Sequence, residues 1–172
     1  PYKICDDATN DGIANFDLNT KTTEVLNGQS SSTFQVKYFY DATNANAGTN
    51  AITAPINSTN TTIYYSIEAT GNSSCKAISS VNLVVNALPK ANTPTAIYLC
   101  DTGNDNVENF NLGSQNIAIL NGQNPANFTV SYHKLPTEVV ANSNPLPSSY
   151  ANASNPQTIY ARITNNANPT CY

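Results

Sequence analysis

Four cysteines are the residues of this chain whose type and spacing most directly allow chemistry. Cys5 and Cys75 are 70 positions apart, and Cys100 and Cys171 are 71 positions apart. Four cysteines allow three pairings, and the recurring spacing favours the disulfides Cys5–Cys75 and Cys100–Cys171. Four free, buried thiols are the alternative, while a metal site would lack a CxxC pair and has a single histidine to draw on. Because disulfides persist in oxidising compartments, we expect an extracellular or cell-surface protein.

An acidic run follows the first cysteine of each pair and is a candidate Ca²⁺ site. Carboxylates at alternate positions of a tight turn supply the oxygen ligands that Ca²⁺ takes. The match to an EF-hand loop fails at Leu18, where a bidentate glutamate belongs, and Gly103 stands where the second run needs a ligand. An Asx-rich turn that bonds its own backbone is the alternative. The candidate ligands are Asp6, Asp7, Asp11, Asp101 and Asp105.

Two tyrosines are the candidates for contact with a glycan. Tyr64 and Tyr160 recur at equivalent positions and alternate with the apolar residues that we assign to the core. The alternative is cross-strand packing within the sheet. His133 has no recurring counterpart and is predicted to be a surface residue. With one histidine and no nucleophile motif, we expect no catalytic site and no enzyme.

These residues recur because the whole chain is a tandem repeat with an offset of 94 to 96 residues. A period this long is a repeated domain, since solenoid units span about 20 to 50 residues. The sequence therefore predicts two domains of the same fold. The matching segments are Ile4–Asp6 with Leu99–Asp101, Phe16–Leu18 with Phe110–Leu112, Leu26–Gln29 with Leu120–Gln123, Phe34–Tyr38 with Phe128–Tyr132, and Thr62–Tyr64 with Thr158–Tyr160.

The composition argues against several classes of partner. Charged residues make up only 10% of the chain, the net charge is -4, and lysine plus arginine number seven. Nucleic-acid binding depends on clustered cations that neutralise phosphates, so no nucleic-acid partner is expected. No apolar run approaches the roughly 20 residues of a membrane-spanning helix, so no membrane insertion is expected.

Alternating apolar residues predict strands at 34–40, 62–69, 80–86, 128–133 and 158–164. Two segments, 19–26 and 114–120, lack this alternation and end at Asn-Gly, which favours short helices closed by Gly28 and Gly122 over hairpin turns. Residues 41–50 are predicted to be a loop or a second short helix. The pattern is typical of an all-β fold, with two tandem Ig-like β-sandwich modules that carry short helical turns.

The expected domains are a first sandwich at 1–88, a linker at 89–96 that two prolines stiffen, and a second sandwich at 97–172. Residues 80–86 form an alternating strand that closes the first repeat. No counterpart follows Tyr172 in this sequence, so we expect the second sandwich to lack its last strand.

As a set, the recurring motifs resemble the repeats of giant surface proteins from Flavobacteria and other Bacteroidetes, a group that includes SprB-like gliding-motility adhesins. The resemblance rests on Cys5-Asp6, Asp11-Gly12, Phe16-Asp17-Leu18, Leu26-Asn27-Gly28-Gln29 and Leu88-Pro89, and it covers nearly the whole chain twice. It implies a surface-displayed filament, secreted by the type IX system and built from many β-sandwich modules. The second repeat departs from the pattern at Asn106 and Asn111, which replace Gly12 and Asp17.

These observations predict a non-enzymatic segment of a large extracellular adhesin, acting as spacer and adhesive stalk and involved in gliding motility. Its partners would be neighbouring repeats of the same chain and a surface polysaccharide, with Ca²⁺ as the one candidate cofactor. One alternative is a carbohydrate-binding accessory module of a secreted enzyme. Another is a subunit of a fibre in which a neighbouring chain supplies the missing strand.

Overall fold

A computed structural model describes every residue from Pro1 to Tyr172 and confirms the all-β, two-module prediction. The chain divides into two compact units, Pro1–Ala87 and Leu88–Tyr172. Both units contain short antiparallel strands joined by turns rich in asparagine and glycine, as alternating sequences with such turns predict.

The first unit contains a four-stranded and a two-stranded sheet. The larger sheet has the order β1-β6-β5-β3, in which β1 runs parallel to β6 and the other pairs are antiparallel. In the smaller sheet, β2 pairs with β4. The bounds are β1 Tyr2–Cys5, β2 Ala14–Phe16, β3 Phe34–Phe39, β4 Ile56–Ser58, β5 Thr61–Ala69 and β6 Asn72–Asn86.

Two short helices complete the first unit. Helix α1, Thr22–Leu26, continues a 3-10 turn at Leu18–Lys21, and α2 spans Ala42–Ala47. The helix that was predicted before Asn-Gly is confirmed, and Asn27 ends it with a left-handed φ of 47°. Asp41 caps α2, because its side chain accepts a 2.7 Å hydrogen bond from the Asn44 backbone N–H. Neither helix is of the length and apolar character that a bilayer crossing demands, and the same holds along the whole chain.

The core of the first unit lies between its two sheets. Phe16 and Leu18 are fully buried there, opposite Ile63 and Leu83 of the larger sheet. The Tyr2 ring packs edge-on against Phe16, with the ring centroids 5.3 Å apart. The strand alternation that was predicted for 62–69 thus places Ile63 inwards as expected.

The outer face of the larger sheet is covered where α2 lies, and it buries polar side chains. Ser66 and Glu68 of β5 have no exposed surface. The Glu68 carboxylate accepts hydrogen bonds from Lys37 Nζ at 2.7 Å and Ser66 Oγ at 2.9 Å. Burial alone raises the pKa of Glu68, but these hydrogen bonds and the charges of Lys37 and Lys76 outweigh it, so the pKa lies below its usual value.

The second unit contains two strand pairs, β8 with β10 and β7 with β9. A 3-10 turn at Leu112–Gln115 leads into helix α3, which ends at Asn121 with a left-handed φ of 45°. The core consists of Leu112, Ile119, Leu120, Tyr132, Tyr150 and Ile163. The bounds are β7 Asn109–Asn111, α3 Asn116–Leu120, β8 Phe128–His133, α4 Pro136–Ala141, β9 Ser149–Ala151 and β10 Tyr160–Asn165.

The two units differ at the strand that follows their central hairpin. Strand β5 pairs with β3 on one side and β6 on the other, whereas its counterpart β10 pairs with β8 alone. Residues 97–100, the counterparts of β1, form no strand, and Tyr98 is 88% exposed. The chain after β10 turns back, and Asn165 N–H donates to the Cys171 carbonyl at 2.9 Å. One edge of β10 therefore has no partner strand, whereas the corresponding edge of β5 in the first unit pairs with β6.

The segment that was predicted to be a linker contacts the second unit. The Gln123 side chain accepts from Lys90 N–H at 3.0 Å and donates to the Lys90 carbonyl at 2.7 Å. The Asn92 backbone N–H and side-chain amide donate to the carbonyls of Ile119 and Ala118, both at 3.1 Å. Residues 90–92 are thus hydrogen-bonded to the C-terminal end of α3.

The burial of Phe16 predicts a difference between two equivalent phenylalanines. Phe16→Ala should destabilise the first unit by about 3–5 kcal/mol, because it empties a fully buried site. Phe110→Ala should cost the second unit less, since Phe110 lies at the partly exposed margin of its core. Hydrogen exchange in the intact chain measures the two units separately, and equal losses would contradict this reading.

The lowered pKa of Glu68 predicts a stability loss in acid. A carboxyl with a depressed folded-state pKa stabilises the fold above its unfolded pKa, and this contribution disappears as the pH falls through the folded-state pKa. Glu68→Gln should therefore flatten the fall in stability below about pH 4.5, while costing about 1.5–3 kcal/mol at neutral pH. Glu24→Gln is the matched control, because Glu24 pairs with Lys21 in an exposed salt bridge and its loss should change little. Acid unfolding curves of both variants that coincide would refute the assignment.

Candidate functional site

The cysteines adopt a pairing that differs from the predicted one. Cys5 and Cys171 are disulfide-bonded, whereas Cys75 and Cys100 are exposed free thiols. Because the chain has four cysteines, the bond joins Cys5 to Cys171. The predicted pairs Cys5–Cys75 and Cys100–Cys171 are therefore wrong.

The length of β6 explains why Cys5 does not pair with Cys75. Cys5 ends β1 and lies opposite Asn86 at the C-terminal end of β6. Cys75 lies near the other end of the same strand. At about 3.3 Å per residue, the eleven residues from Cys75 to Asn86 span roughly 35 Å, far beyond the ~7 Å Cα separation that a disulfide tolerates. Sequence spacing alone carries no information on this distance.

A compact turn holds Cys171. Its side chain has no exposed surface, and its backbone N–H donates to the Asn168 carbonyl at 3.0 Å. Asn165 fixes the start of the turn, since its side-chain oxygen accepts from Ala167 N–H at 2.9 Å. The Tyr172 ring stacks on the Arg162 guanidinium, 3.4 Å from the ring centroid. Hydrogen bonds among the residues before Cys171 and the stacking of Tyr172 on Arg162 after it thus hold the half-cystine in place.

The acidic run of the first unit forms an Asx-type turn. The Asp6 carboxylate accepts from Asp7 N–H at 2.9 Å and from Gly12 N–H at 2.7 Å, which closes the turn. Asp7 accepts from the hydroxyl and the N–H of Thr9, at 2.6 and 2.8 Å, and these bonds hold the pKa of the Asp7 carboxyl below its usual value. Asp11 accepts from Ile13 N–H at 2.9 Å. The three carboxylates therefore face backbone donors of their own loop.

The second acidic run repeats this arrangement with fewer carboxylates. Asp101 accepts from Asn106 N–H at 2.7 Å, as Asp6 does from Gly12. Asp105 accepts from Val107 N–H at 3.0 Å. Glu108 accepts from the N–H and hydroxyl of Thr102, and these bonds lower the pKa of the Glu108 carboxyl. No group of three or more His, Cys, Asp or Glu residues is gathered to hold a metal ion in either run, so Ca²⁺ binding stays a prediction.

The remaining candidates lie on the outer faces of the sheets. Tyr64 is partly buried, and Tyr160 is 38% exposed, so glycan contact at these two rings stays a prediction. His133 is not a surface residue, because it has no exposed surface. Its Nε2 lies 2.9 Å from Ser131 Oγ and its Nδ1 lies 2.8 Å from the Ser143 carbonyl oxygen. The ring links β8 to the loop after α4, and its repeat counterpart Phe39 is fully buried as well.

Arg162 is a residue that sequence reasoning did not single out. It is 5% exposed, and its Nη1 donates to the Val139 carbonyl at 2.6 Å, at the C-terminal end of α4. Its Nε donates to Thr164 Oγ1 at 2.9 Å. The one signal in the sequence was a lone arginine in an otherwise charge-poor strand, at the position that Ser66 holds in the first repeat.

The cysteine arrangement agrees with the one family that the chain matches. A Flavobacterium inter-domain disulphide bond domain matches residues 1–89 and again residues 96–172. The chain belongs to this family. No curated protein and no solved structure matches it. In this member of the family, the bond that links one domain to the other is Cys5–Cys171.

Family membership and the disulfide together indicate the compartment. Disulfides are rare in the bacterial cytosol and persist in the periplasm and outside the cell. The chain is therefore a disulfide-linked structural domain pair of an extracellular or periplasmic protein.

Peptide mapping without reduction tests the disulfide directly. It should recover one linked pair, Cys5 with Cys171, and alkylating reagent should label Cys75 and Cys100 before any reductant is added. Cys5→Ser should expose Cys171 to the reagent, and Cys75→Ser should leave the linked pair in place. Recovery of a Cys5–Cys75 peptide would contradict the pairing.

Calorimetry of the intact chain tests the Ca²⁺ prediction. If the first run binds Ca²⁺, Asp11→Ala should remove most of the binding heat, because ligand charge sets affinity. Asp105→Ala, the equivalent change in the second run, should remove less. Equal heats for the unaltered chain and Asp11→Ala would instead leave the carboxylates with the turn-forming role that their hydrogen bonds describe.

Proposed function

We propose that this chain is a non-enzymatic segment of a large, surface-displayed protein, in which the modules act as spacer and adhesive stalk. The observation that carries the proposal is the disulfide between the first strand of one module and the last turn of the next. A bond with this connectivity adds nothing to a catalytic pocket. It changes how a chain of modules responds to load.

The mechanical consequence follows from covalent connectivity. Tension applied at Pro1 and Tyr172 reaches Cys5 within four residues and Cys171 within one, and then passes through the S–S bond. The chain between the two cysteines therefore bears no tension while the bond is intact. A module pair closed in this way does not extend under loads that would unfold a single unlinked sandwich.

The surface chemistry supports a role as a hydrated stalk. Only 10% of the residues are charged, and amide and hydroxyl side chains take their place. The single histidine is buried and bonded on both ring nitrogens, which supports a non-enzymatic role. The resemblance to gliding-motility adhesins supports display at the cell surface, secretion by the type IX system and contact with a surface polysaccharide.

A strand-exchanged fibre is the second candidate, and the single-sided pairing of β10 favours it. In the first unit β6 covers the corresponding edge, and a β6-like strand from a neighbour would complete the second sheet in the same way. Concentration-dependent oligomers that form without thiol oxidation would favour this candidate over the spacer.

Surface labelling and single-molecule pulling test the spacer proposal together. Antibodies against this chain should label intact cells of the source bacterium as strongly as permeabilised cells.

Pulled from its termini, the oxidised chain should extend by only a few residues. Cys5→Ser should release about 55 nm of additional chain at about 3.4 Å per residue, and Cys75→Ser is the control that should not. Labelling confined to permeabilised cells would refute the surface assignment, and equal extension of all three proteins would refute the load-bearing bond.

A further inference from the structure

The two copies of the motif Leu-Asn-Gly-Gln differ in what their glutamines contact. In the second unit the Gln123 side chain bonds the Lys90 backbone at both its N–H and its carbonyl, at 3.0 and 2.7 Å. An amide that bonds both groups of one residue recognises a backbone as a neighbouring antiparallel strand does. The counterpart Gln29 is exposed, and only its backbone is bonded, through its N–H to the Leu26 carbonyl at 2.9 Å. The first unit therefore presents the same recognition group with its side-chain amide free.

We propose that the C-terminal end of helix α1 is a docking site for a linker segment with the sequence pattern Leu-Pro-Lys-Ala-Asn of residues 88–92. The partner is the linker that leads into this module from a preceding copy in a tandem array, as residues 88–96 lead into the second unit. This inference rests on the proposed tandem spacer, and its test has a separate readout. It adds a non-covalent contact between each module and the linker before it.

A cleft in the first unit gathers the counterparts of all the groups that hold the linker in the second. The groups that bond residues 90–92 in the second unit belong to Ala118, Ile119 and Gln123. The cleft lies beside the end of α1 and has a volume of about 460 Å³, within the range of pockets that take a small ligand. Its lining includes the three residues at the equivalent repeat positions, Glu24, Val25 and Gln29.

The last backbone hydrogen bond of the helix differs between the units as an occupied and an open site would differ. In the second unit Asn121 N–H bonds the carbonyl four residues back at 3.0 Å, and the next carbonyl, that of Ala118, accepts from the Asn92 side chain at 3.1 Å. In the first unit Asn27 N–H bonds the carbonyl three residues back, that of Glu24, at 3.2 Å. Because Glu24 is the counterpart of Ala118, the helix itself uses the acceptor that the linker uses in the second unit. Docking should return the Asn27 N–H to the carbonyl four residues back.

The cleft also matches the charge and the stiffness of such a linker. The Glu24 carboxylate borders it where the second unit has an alanine, and the linker carries the cation Lys90. Pro89 fixes its own φ and biases the preceding residue to extended backbone, which lowers the entropy that docking costs. The opposite wall offers apolar surface to the leucine and proline side chains, from Tyr65, Ile67 and Val81.

Hydrogen exchange in an extended form of the whole chain gives the decisive measurement. Residues 88–95 are duplicated in front of the first residue, so that the added lysine lies as far before Tyr2 as Lys90 lies before Ile97. Tethering raises the effective concentration of the segment to the millimolar range, so it should dock within one molecule. We expect the backbone N–H of the added lysine, followed by NMR, to exchange roughly tenfold more slowly than in an extended chain with Gln29→Ala.

Gln123→Ala in the same extended chain is the matched control. It should speed exchange at the Lys90 N–H and leave the added lysine protected, because each glutamine holds its own segment. A second variant replaces the added asparagine by alanine, which alters no residue of the folded chain, and it should weaken protection as Gln29→Ala does. Exchange in β5 and β6 should be the same in all these proteins, since Gln29 is exposed.

Two results would overturn the proposal. One is an added lysine N–H that exchanges at the rate of an unfolded peptide, and the other is equal protection with and without Gln29→Ala. If the extension is protected but intact cells are not labelled, the surface function fails and this inference stands. If intact cells are labelled but the extension is unprotected, the spacer stands and this inference fails.

Discussion

The fifteen-residue strand β6 is the constraint on which the first unit and its cysteine chemistry depend. It pairs with β5 along one edge and with β1 near its C-terminal end, so it completes the larger sheet and fixes where Cys5 lies. Its length also carries Cys75 to the opposite end of that sheet. A bond between Cys5 and Cys75 is thereby excluded by distance, and Cys5 is left for a partner outside its own module. In the second unit no strand takes the place of β6, and β10 pairs with β8 alone.

The helix that covers each outer sheet face illustrates how one physical need is met by two different residues. The last carbonyls of a short helix have no partner within the helix, and a cation at that end also interacts favourably with the helix dipole. Lys76 of β6 donates to the carbonyls of Ala45 and Asn46 at the end of α2. The repeat places Tyr172 at the position of Lys76, and Arg162 supplies the cation to α4 instead, stacked on that same tyrosine ring. A cation thus binds the C-terminal end of this helix in both units, although it is a lysine in the first unit and an arginine at a different repeat position in the second.

Features that depend on neighbouring residues in the sequence could be predicted, whereas features that depend on the distance between remote residues could not. Alternation placed Ile63 in the core, and Asn-Gly after a non-alternating segment predicted α1 and α3, because these features are set by neighbours in sequence. The buried state of His133 and Glu68 depends on α2 and α4 lying over a face that the pattern marks as polar, so alternation could not reveal it. The disulfide was mispredicted for the same reason. Equal spacing within two repeats is compatible with a bond inside each repeat and with a bond between them, and the extended length of β6 decides between the two.

A disulfide between repeats couples modules in a way that a disulfide inside each repeat does not. Bonds within modules shield the chain inside each module from tension but leave the segment between the modules outside any covalent ring, so that this segment carries the load. In the connectivity seen here, the loop that Cys5 and Cys171 close contains the cores of both modules and the segment between them. Neither core and no part of the intervening segment then lies outside this covalent ring. Extension of the pair is then limited by bond connectivity rather than by the modest core of a sandwich of this size, which relieves the individual modules of the need for high stability.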